Sequence, residues 1–426
     1  MARLVITTWG SYGDVNPYLA LGLGLRARGH DVVLCMPPCY EAVIRATGLG
    51  FAPGAPDADP SLDPAMVRRV MHPRRGAEAI FRDVLIPALS EAHARLTDAV
   101  AGADLLVSHP AALAAPIVAE ERRLRWVSTV LAPLNFMSAY DPILPPMTPW
   151  LRHVPWSLHL RFADWVAGGG RLVASRWMEP VQRFRASLGL PRAVNPMFDG
   201  QHSPYAVLAL YSRVFGGPYP DYPARVTITG QLRHDAAHVT AQGDAVERFL
   251  CAGAPPLVFT LGTSAVEVAG RFWEESIAAT TRLGARAVLL AGREAAPRLA
   301  ALALPHVLVV DGAPHSQLFP RAAAVIHQCG MGTLGTALAA GVPQLAVPFA
   351  NDQPDNAWRL ERLGVARTLY PGRYRGARVA DALQALLEGT SYVDRARTVA
   401  AQVQAEDGVG TACRVIEQVL DGDRRG

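Results

Sequence analysis

VIHQCGMGTLGTALAAGVPQLAVPFANDQPDN, residues 325–356, is the stretch whose reading decides the fold. Residues 323–326 form an apolar run with strand character. The Ala/Leu-rich run 333–340 is a helix stopped by Gly341, with Pro343 just beyond. Gly330 and Gly332 therefore stand where a strand turns into a helix, with Met331 and Thr333 beside them. The first amides of a helix have no intrahelical acceptor and sit at its positive end, and glycine lets a phosphate come close to the backbone. Such a turn serves either anion binding or bare helix–sheet packing. Residues 342–349 then form a second short buried strand, followed by Asn351, Asp352 and Gln353 at its carboxyl end, where open α/β sheets hold ligands. The plainer alternative is a polar loop capping a helix from about Asn356 onward.

Outward from this stretch, strand-like runs alternate with amphipathic helical ones, the pattern of parallel sheets with crossover helices. In the first half the strands are expected at 4–8, 31–36, 104–108 and 125–130, with helices at 17–28 and 77–100. In the second half they are expected at 257–261, 287–291, 307–310, 323–326 and 344–347. Between the halves lies the Gly/Pro-rich segment 215–223, whose Gly216 and Gly217 make it the expected hinge. The domains follow: 1–215, a linker 216–223, a second domain 224–400, and a terminal helix within 401–426 packing back toward the first domain. No solenoid repeat is present.

Composition agrees with two domains, since 426 residues that are 50% hydrophobic can build two cores. No apolar run reaches the ~18–20 residues of a membrane span, and the N-terminus enters a strand directly, so a cytoplasmic enzyme is expected. All 41 basic residues are arginine. That excludes a Walker-A lysine, a pyridoxal Schiff base and lysine-aldolase chemistry, and leaves a kinase unsupported. A net charge of +4 with no long basic run gives no reason to expect a nucleic-acid partner. The five cysteines are too scattered for a disulfide framework or a zinc site, and Cys35, Cys251 and Cys413 read as buried thiols. Asp57-Ala58-Asp59 imitates a metal-binding pair but lies in a proline-rich loop with no strand before it, so no metal site is expected. Gly22 and Gly24 fall inside a helix and make no dinucleotide turn.

The first strand leads into Gly10-Ser11-Tyr12-Gly13-Asp14-Val15-Asn16-Pro17. Gly10 and Gly13 permit a tight turn, and Pro17 suits the first position of a helix, which places Asp14 in a loop above the carboxyl edge of the sheet. Asp14 either caps that helix or faces a ligand.

Taken together, 325–356, Pro314-His315-Ser316-Gln317-Leu318-Phe319-Pro320, Phe259-Thr260-Leu261-Gly262-Thr263, Glu406-Asp407-Gly408 and the Gly10–Pro17 turn resemble the GT-B glycosyltransferases of the UDP-glycosyltransferase superfamily. More narrowly, they are similar to the bacterial branch with sterol-type, rhamnolipid-type and antibiotic-decorating members. The resemblance runs nearly the whole chain. It implies an α/β GT-B fold, two Rossmann-like domains with parallel sheets facing across a cleft. It also implies an inverting hexosyltransferase that needs neither metal nor cofactor and moves a sugar from a dTDP- or UDP-linked donor to an acceptor hydroxyl.

In these families the Asp14 slot carries the base. An aspartate of ordinary pKa ~3.9 cannot ionise an alcohol outright, but it can take the proton as the sugar bond forms. The strand-end His109 falls where relatives with a histidine base keep its orienting aspartate, so His109 is expected to pair with Asp14 as partner or proton store; the alternative is a histidine bonded to backbone. The resemblance assigns the donor to Gly13, Gly262, Thr263, Ser264, Ala313, His315, Gly330, Met331, Gly332 and Thr333, with Asp352 and Gln353 on the sugar hydroxyls. Relatives contact the diphosphate with a histidine that aligns with Gln328, preceded here by His327, so either residue carries that contact. The base-stacking aromatic of plant relatives is Gly312, which leaves the base to Ala313 and His315. The ribose-holding glutamate is Thr336, which favours a dTDP donor.

Residues 133–177 hold Phe136, Tyr140, Trp150, Trp156, Phe162, Trp165 and Trp177, interleaved with Arg152, Arg161, Arg171 and Arg176. Aromatics at such density commonly build core, yet Pro142, Pro145, Pro146, Pro149 and Pro155 break the early part into loops, which often line apolar pockets. Asn135, Phe136, Tyr140 and Trp150 are therefore the expected acceptor contacts. The acceptor is expected to be a hydroxylated lipid, terpenoid or polyketide-like molecule, with transient membrane-surface contact as a further partner. The rival readings are a nucleotide-sugar epimerase or hydrolase of the same fold, and a non-catalytic nucleotide-sugar-binding activator.

Overall fold

The computed structural model describes residues 1–57, 63–145, 148–235, 243–263, 265–302 and 304–422. Seven parallel strands form the first sheet: β1 Arg3–Thr7, β2 Asp31–Met36, β3 Gly50–Pro53, β4 Leu105–Ser108, β5 Arg125–Val130, β6 Ala206–Ala209 and β7 Val226–Ile228. Six more form the second: β8 Leu257–Thr260, β9 Ala287–Leu290, β10 Val307–Val310, β11 Ala324–His327, β12 Gln344–Ala346 and β13 Ala366–Thr368. Their spatial orders are β3-β2-β1-β4-β5-β6-β7 and β10-β9-β8-β11-β12-β13. Helices cover both faces, so the central strands are continuous apolar runs with no alternation: Leu4, Val5 and Ile6 are all fully buried, as are Val325 and Ile326.

Each sheet grows one way for three strands and then restarts on the other side of its first strand. The reversal lies between β1 and β4 in one domain and between β8 and β11 in the other. Loops leaving the two strands at such a point diverge to opposite faces and open a crevice at the carboxyl edge. The chain thus builds two crevices, one per domain.

The expected strands are present within a residue or so, except that of the run 342–349 only Gln344–Ala346 is strand. β3, β6, β7 and β13 were not among the expected strands. β7 also moves the domain boundary. It pairs with β6 in parallel register, Val207 opposite Val226. The first sheet therefore ends beyond 216–223, and the crossing to the second domain follows Ile228. The expected helix 77–100 is interrupted. Helix Gly76–Ala79 passes into a π-helical stretch Ile80–Leu85, and a regular helix resumes only at Leu89–Ala99. Pro87 explains the break: it has no amide to donate, and its ring would strike the carbonyl four residues earlier.

The terminal helix Gly408–Asp421 packs on helix Tyr12–Ala27, adding Ala412, Cys413 and Ile416 to the core around β1. A Cβ on Gly24 would come within 2.3 Å of Val409 Cγ1. Each residue of the Glu406-Asp407-Gly408 motif has a structural task. Glu406 accepts from Ser212 Oγ at 3.0 Å and Arg213 N at 2.8 Å, and Asp407 caps the terminal helix by accepting from Gly410 N at 2.9 Å. A Cβ at Gly408 would sit 2.6 Å from the Gln231 carbonyl oxygen.

A buried ionic cluster ties the domains together. Arg359 of helix Gln353–Arg362 bonds Asp355 at 2.7 Å, the Asp141 carboxylate of the first domain, and the Phe215 carbonyl at 3.2 Å. The expected hinge segment is thus pinned at its start. Cys35 and Cys413 are buried, but Cys251, expected buried, is exposed at the end of helix Gly243–Cys251 and donates to Glu247. Among the described residues no helix is long and apolar enough to cross a membrane.

Candidate active site

Asp14 and His109 occupy the switch point of the first sheet, one following β1 and the other β4. Helix Tyr12–Ala27 starts five residues earlier than Pro17 predicts, because Ser11 and Asp14 form a capping box. Asp14 Oδ2 accepts from Ser11 N at 2.8 Å and from Ser11 Oγ at 3.2 Å. Asp14 therefore lies in the first helical turn and not in a loop, and Pro17, inside the helix, cannot donate to the Gly13 carbonyl. Capping engages one carboxylate oxygen. The other, Oδ1, faces His109 Nε2 at 3.8 Å, with about a third of the side chain still open to the cleft. Burial raises the Asp14 pKa from 3.8 to about 6, against the lowering effect of the Ser11 bonds.

His109 Nδ1 accepts from Ala111 N at 3.0 Å, so the ring proton belongs on Nε2, toward Asp14. Burial pushes the imidazole pKa down to about 3. A ring held neutral, with its other nitrogen committed, cannot bank a proton. The proton-store role is withdrawn, and what the geometry leaves is a neutral N–H directed at the carboxylate.

Gly10 sets the Asp14 rotamer. Its φ is +138°, and a Cβ there would lie 2.3 Å from Asp14 Oδ2. Gly10→Ala is expected to displace the carboxylate and lower turnover about 10²-fold, the usual cost of an ångström-scale misplacement of a reacting group. Steady-state kinetics beside a melting curve would check this, and unchanged turnover would show that the carboxylate position does not matter.

The second crevice faces the first. A Cβ built on Gly332 would lie 3.7 Å from Gly13 Cα, so the glycine turn of one domain abuts the helix start of the other. The turn after β11 runs through Cys329, at φ +69°, a rare conformation for a residue with a side chain. It opens helix Met331–Ala340, whose first amides have no intrahelical acceptor. Gln328 lies between this turn and the one after β8: a Cβ at Gly262 would come 2.3 Å from Gln328 Nε2, and one at Gly330 3.0 Å. Gln328 is buried, and its Oε1 has no partner among the described residues. His327 is different. It is fully buried, with Nδ1 accepting from Cys329 N at 3.0 Å and Nε2 paired with Gln344 at 2.8 Å. As a sheet-face residue it serves the turn from within and cannot reach a phosphate, so of the two candidates only Gln328 remains.

Thr333 is buried at the helix start, Met331 and Gly332 are half-buried, and Thr263 is exposed beyond β8. Ser264 lies outside the described residues, as does Asp59 of the Asp-x-Asp imitation. Ala313 is buried and His315 half-buried beyond β10, where the His315 ring stacks on Phe319 at 4.5 Å. Burial brings the His315 pKa to about 4, so it too is neutral.

Asp352 accepts from Asn356 Nδ2 at 2.7 Å, and burial raises its pKa to about 6, with the Asp14 charge adding to the rise. Asp352 thus feels the Asp14 charge across the cleft. Gln353 Oε1 accepts from Phe349 N at 2.8 Å and Ala350 N at 3.2 Å, which leaves its amide nitrogen as the end available to a ligand. Asn356, expected only to begin a helix, is fully buried and also donates to the Cys329 carbonyl at 3.0 Å, joining the glycine turn to Asp352. The legible signal was the four-residue spacing from Asp352, which puts both side chains on one helix face.

The acceptor candidates separate. Phe136 is core: it is 5% exposed and stacks on Tyr222 at 4.0 Å. Its ring is used in packing and is withdrawn as a ligand contact. Asn135 is half-buried just after β5, while Tyr140 and Trp150 are 54% and 61% exposed.

Two family models match the chain: the glycosyltransferase family 28 N-terminal domain over residues 4–131, and the erythromycin biosynthesis protein CIII-like C-terminal domain over residues 274–414. O-mycaminosyltylonolide 6-deoxyallosyltransferase of Streptomyces fradiae is 31% identical over 437 residues, covering 98% of this chain and 97% of that one. The glycosyltransferase of kitacinnamycin superposes with a TM-score of 0.71 at 21% identity, covering 98% of this chain and 99% of that one. Glycosyltransferase VinC in complex with dTDP superposes at 0.69 with 21% identity over 100% of both chains. With its two facing parallel-sheet domains, the chain is a glycosyltransferase of GT-B family 1 and belongs to the bacterial branch that acts in antibiotic biosynthesis.

Proposed function

We propose that the enzyme is an inverting glycosyltransferase that moves a sugar from a dTDP-linked donor to a hydroxyl of an apolar natural-product acceptor, with Asp14 as base and without a metal. The observation that carries this reading is the close packing of Gly332 on Gly13, where a Cβ built on Gly332 would lie 3.7 Å from Gly13 Cα, which sets the Asp14 carboxylate against the amide-rich start of helix Met331–Ala340. The acceptor O–H gives its proton to Asp14 Oδ1 while its oxygen attacks the anomeric carbon. The opposite bond, from that carbon to the diphosphate oxygen, breaks with its electron pair leaving on the diphosphate. One displacement inverts the centre. The leaving charge would collect on the helix amides and the Gln328 amide. Asp352 and the Gln353 amide hold the sugar hydroxyls.

The dTDP choice is supported by Thr336, whose hydroxyl turns back to the Gly332 carbonyl at 3.0 Å and offers no carboxylate to a ribose, and by the dTDP complex of the similar VinC structure. The test is a melting-temperature series with dTDP-, UDP- and GDP-sugars, since a ligand that binds only the native state raises the midpoint. A larger rise with dTDP-glucose than with UDP-glucose is expected, and a clear win for UDP-glucose would overturn the donor choice. The product anomer tests inversion, and conversion of donor without any acceptor would mark an epimerase.

The pH dependence follows from Asp14. A base must be ionised to accept a proton, so kcat/KM is expected to rise with pH through about 6 and level off above it. A flat profile between pH 5 and 8 would count against Asp14 as the base.

A further inference from the structure

Asn351 stands just ahead of Asp352 and Gln353. Its backbone is left-handed, with φ +56°, a conformation that asparagine tolerates better than most residues with a side chain. That bend leads the chain from β12 into helix Gln353–Arg362. The side chain crosses to the other domain. Its Nδ2 donates to the Val70 carbonyl at 3.3 Å, and a Cβ on Gly76 would lie 2.9 Å from its Oδ1.

Val70 and Gly76 belong to a first-domain segment between β3 and β4 that is braced locally. Helix Pro64–Val70 is capped by Asp63, which accepts from Ala65 N at 2.8 Å and Met66 N at 3.1 Å. The turn after it is held by His72 Nδ1, which accepts from Arg74 N at 3.1 Å and Arg75 N at 3.2 Å. Met66 and Val70 pack on the core of their own domain. Val67 and Met71, spaced as residues on one side of a helix, are instead buried by the second domain, at 4% and 5% exposed. They share a cluster with Leu261 and Ala265 beyond β8 and with Val347 and Ala350 beyond β12. The segment therefore bridges the domains next to the loop that carries Asp352. Its apolar anchor is well buried, but its polar tie is slight: one long hydrogen bond, with Asn351 Oδ1 buried and lacking a partner among the described residues. A tie of that kind is easily made and released.

We propose that Asn351 is a positioning residue: through it the segment 63–76, docked on the second domain, fixes the bend that aims Asp352 and Gln353 at the donor sugar. The sugar is gripped while the segment is down and released when it lifts. This inference rests on the reading of Asp352 and Gln353 as the pair that holds the sugar. With the base on Ala313 and His315 and the diphosphate on the start of helix Met331–Ala340, the tie should count for the sugar and not for the nucleotide.

The test uses the full-length enzyme with dTDP and dTDP-glucose as probes, titrated by calorimetry, and follows hydrogen exchange of the peptide 63–76 by mass spectrometry. In the wild type dTDP-glucose should slow exchange in that peptide and dTDP alone should not. Asn351→Gly keeps the left-handed backbone and removes only the side chain, so it should melt with the wild type. It should speed exchange of the peptide in the free enzyme and bind dTDP as the wild type does. It should bind dTDP-glucose about tenfold less tightly, the worth of one net hydrogen bond. Val67→Ala, which thins the apolar anchor from the other domain, should show the same pattern of exchange and binding. Unchanged exchange in Asn351→Gly, or a loss that falls on dTDP and dTDP-glucose alike, would overturn the proposal. Asp352→Ala keeps the two readings apart, since it should forfeit the sugar's share of the affinity with exchange in the free enzyme at the wild-type rate. If Asp352→Ala loses that share and Asn351→Gly does not, the pair holds the sugar and Asn351 does not position it. If Asp352→Ala binds dTDP-glucose as tightly as the wild type, the sugar-holding reading itself fails and takes the proposal with it.

Discussion

Asp14→Asn is expected to lower the rate of glycosyl transfer by about 10²–10⁴-fold, the range that a positioned general base supplies. The substitution isolates the chemistry from the structure. An asparagine oxygen can accept from Ser11 N and Ser11 Oγ as the carboxylate does, so the capping box and the start of helix Tyr12–Ala27 should persist. Stability carries the opposite sign. The folded-state pKa, raised to about 6 by burial, exceeds the ordinary 3.8, so as pH climbs the unfolded chain releases its proton first. The extra stability from the protonated group is full below about 4 and is lost as pH rises through about 6. Above that, the ionised carboxylate in the cleft works against the fold. Asparagine has no such charge. The variant should therefore melt at or above the wild-type temperature at pH 7.5 while being nearly inactive, and its advantage should shrink toward pH 4. An active variant would leave a non-catalytic or differently based mechanism, and an inactive variant that is also unfolded would make the residue a helix cap only.

The sequence made the two turns legible because glycines, a strand before and a helix after are local signals. Gly330 and Gly332 stand at the helix start of the second crevice, and Gly10 and Asp14 at the first. Local patterns could not say which way side chains on those elements point. His327 and Gln328 are adjacent in sequence and equally polar, yet the pleat sends one into the core to brace Gln344 and the other between the glycine turns. Phe136 looked like pocket lining, and its burial against Tyr222 depends on a residue 86 positions away, outside any window of local reading. Pro17 misled in another way. Proline is a good first helical residue, but the stronger capping box at Ser11 and Asp14 started the helix earlier and left Pro17 inside it. Arg359 escaped local reading as Phe136 did, because its partner Asp141 comes from the other domain.

That arginine gives the second large effect. Arg359→Met is expected to lower the free energy of unfolding by about 3–5 kcal/mol, the cost of removing one partner from a buried ion pair. Burial works against the guanidinium charge, and the Asp355 and Asp141 charges overcome it, so its pKa lies above the usual value. Asp141 and Asp355 are 2% and 0% exposed at the side chain. Among the described residues, Asp141 without Arg359 keeps Arg362, at 3.2 Å and 40% exposed, while Asp355 keeps the Leu144 amide at 2.8 Å. Methionine fills a similar volume, so the loss is electrostatic more than steric. Arg362→Met is the control: a half-exposed ion pair contributes at most about 1 kcal/mol. Because the cluster joins the segment after β5 to the helix that starts at Gln353, its loss should also loosen the hold on the donor sugar, raising KM for the donor more than it lowers kcat. Urea unfolding of the three proteins, read by tryptophan fluorescence, checks the first expectation, and donor saturation curves check the second. If Arg359→Met unfolds within 1 kcal/mol of the Arg362→Met control, the cluster is not what holds the two domains together.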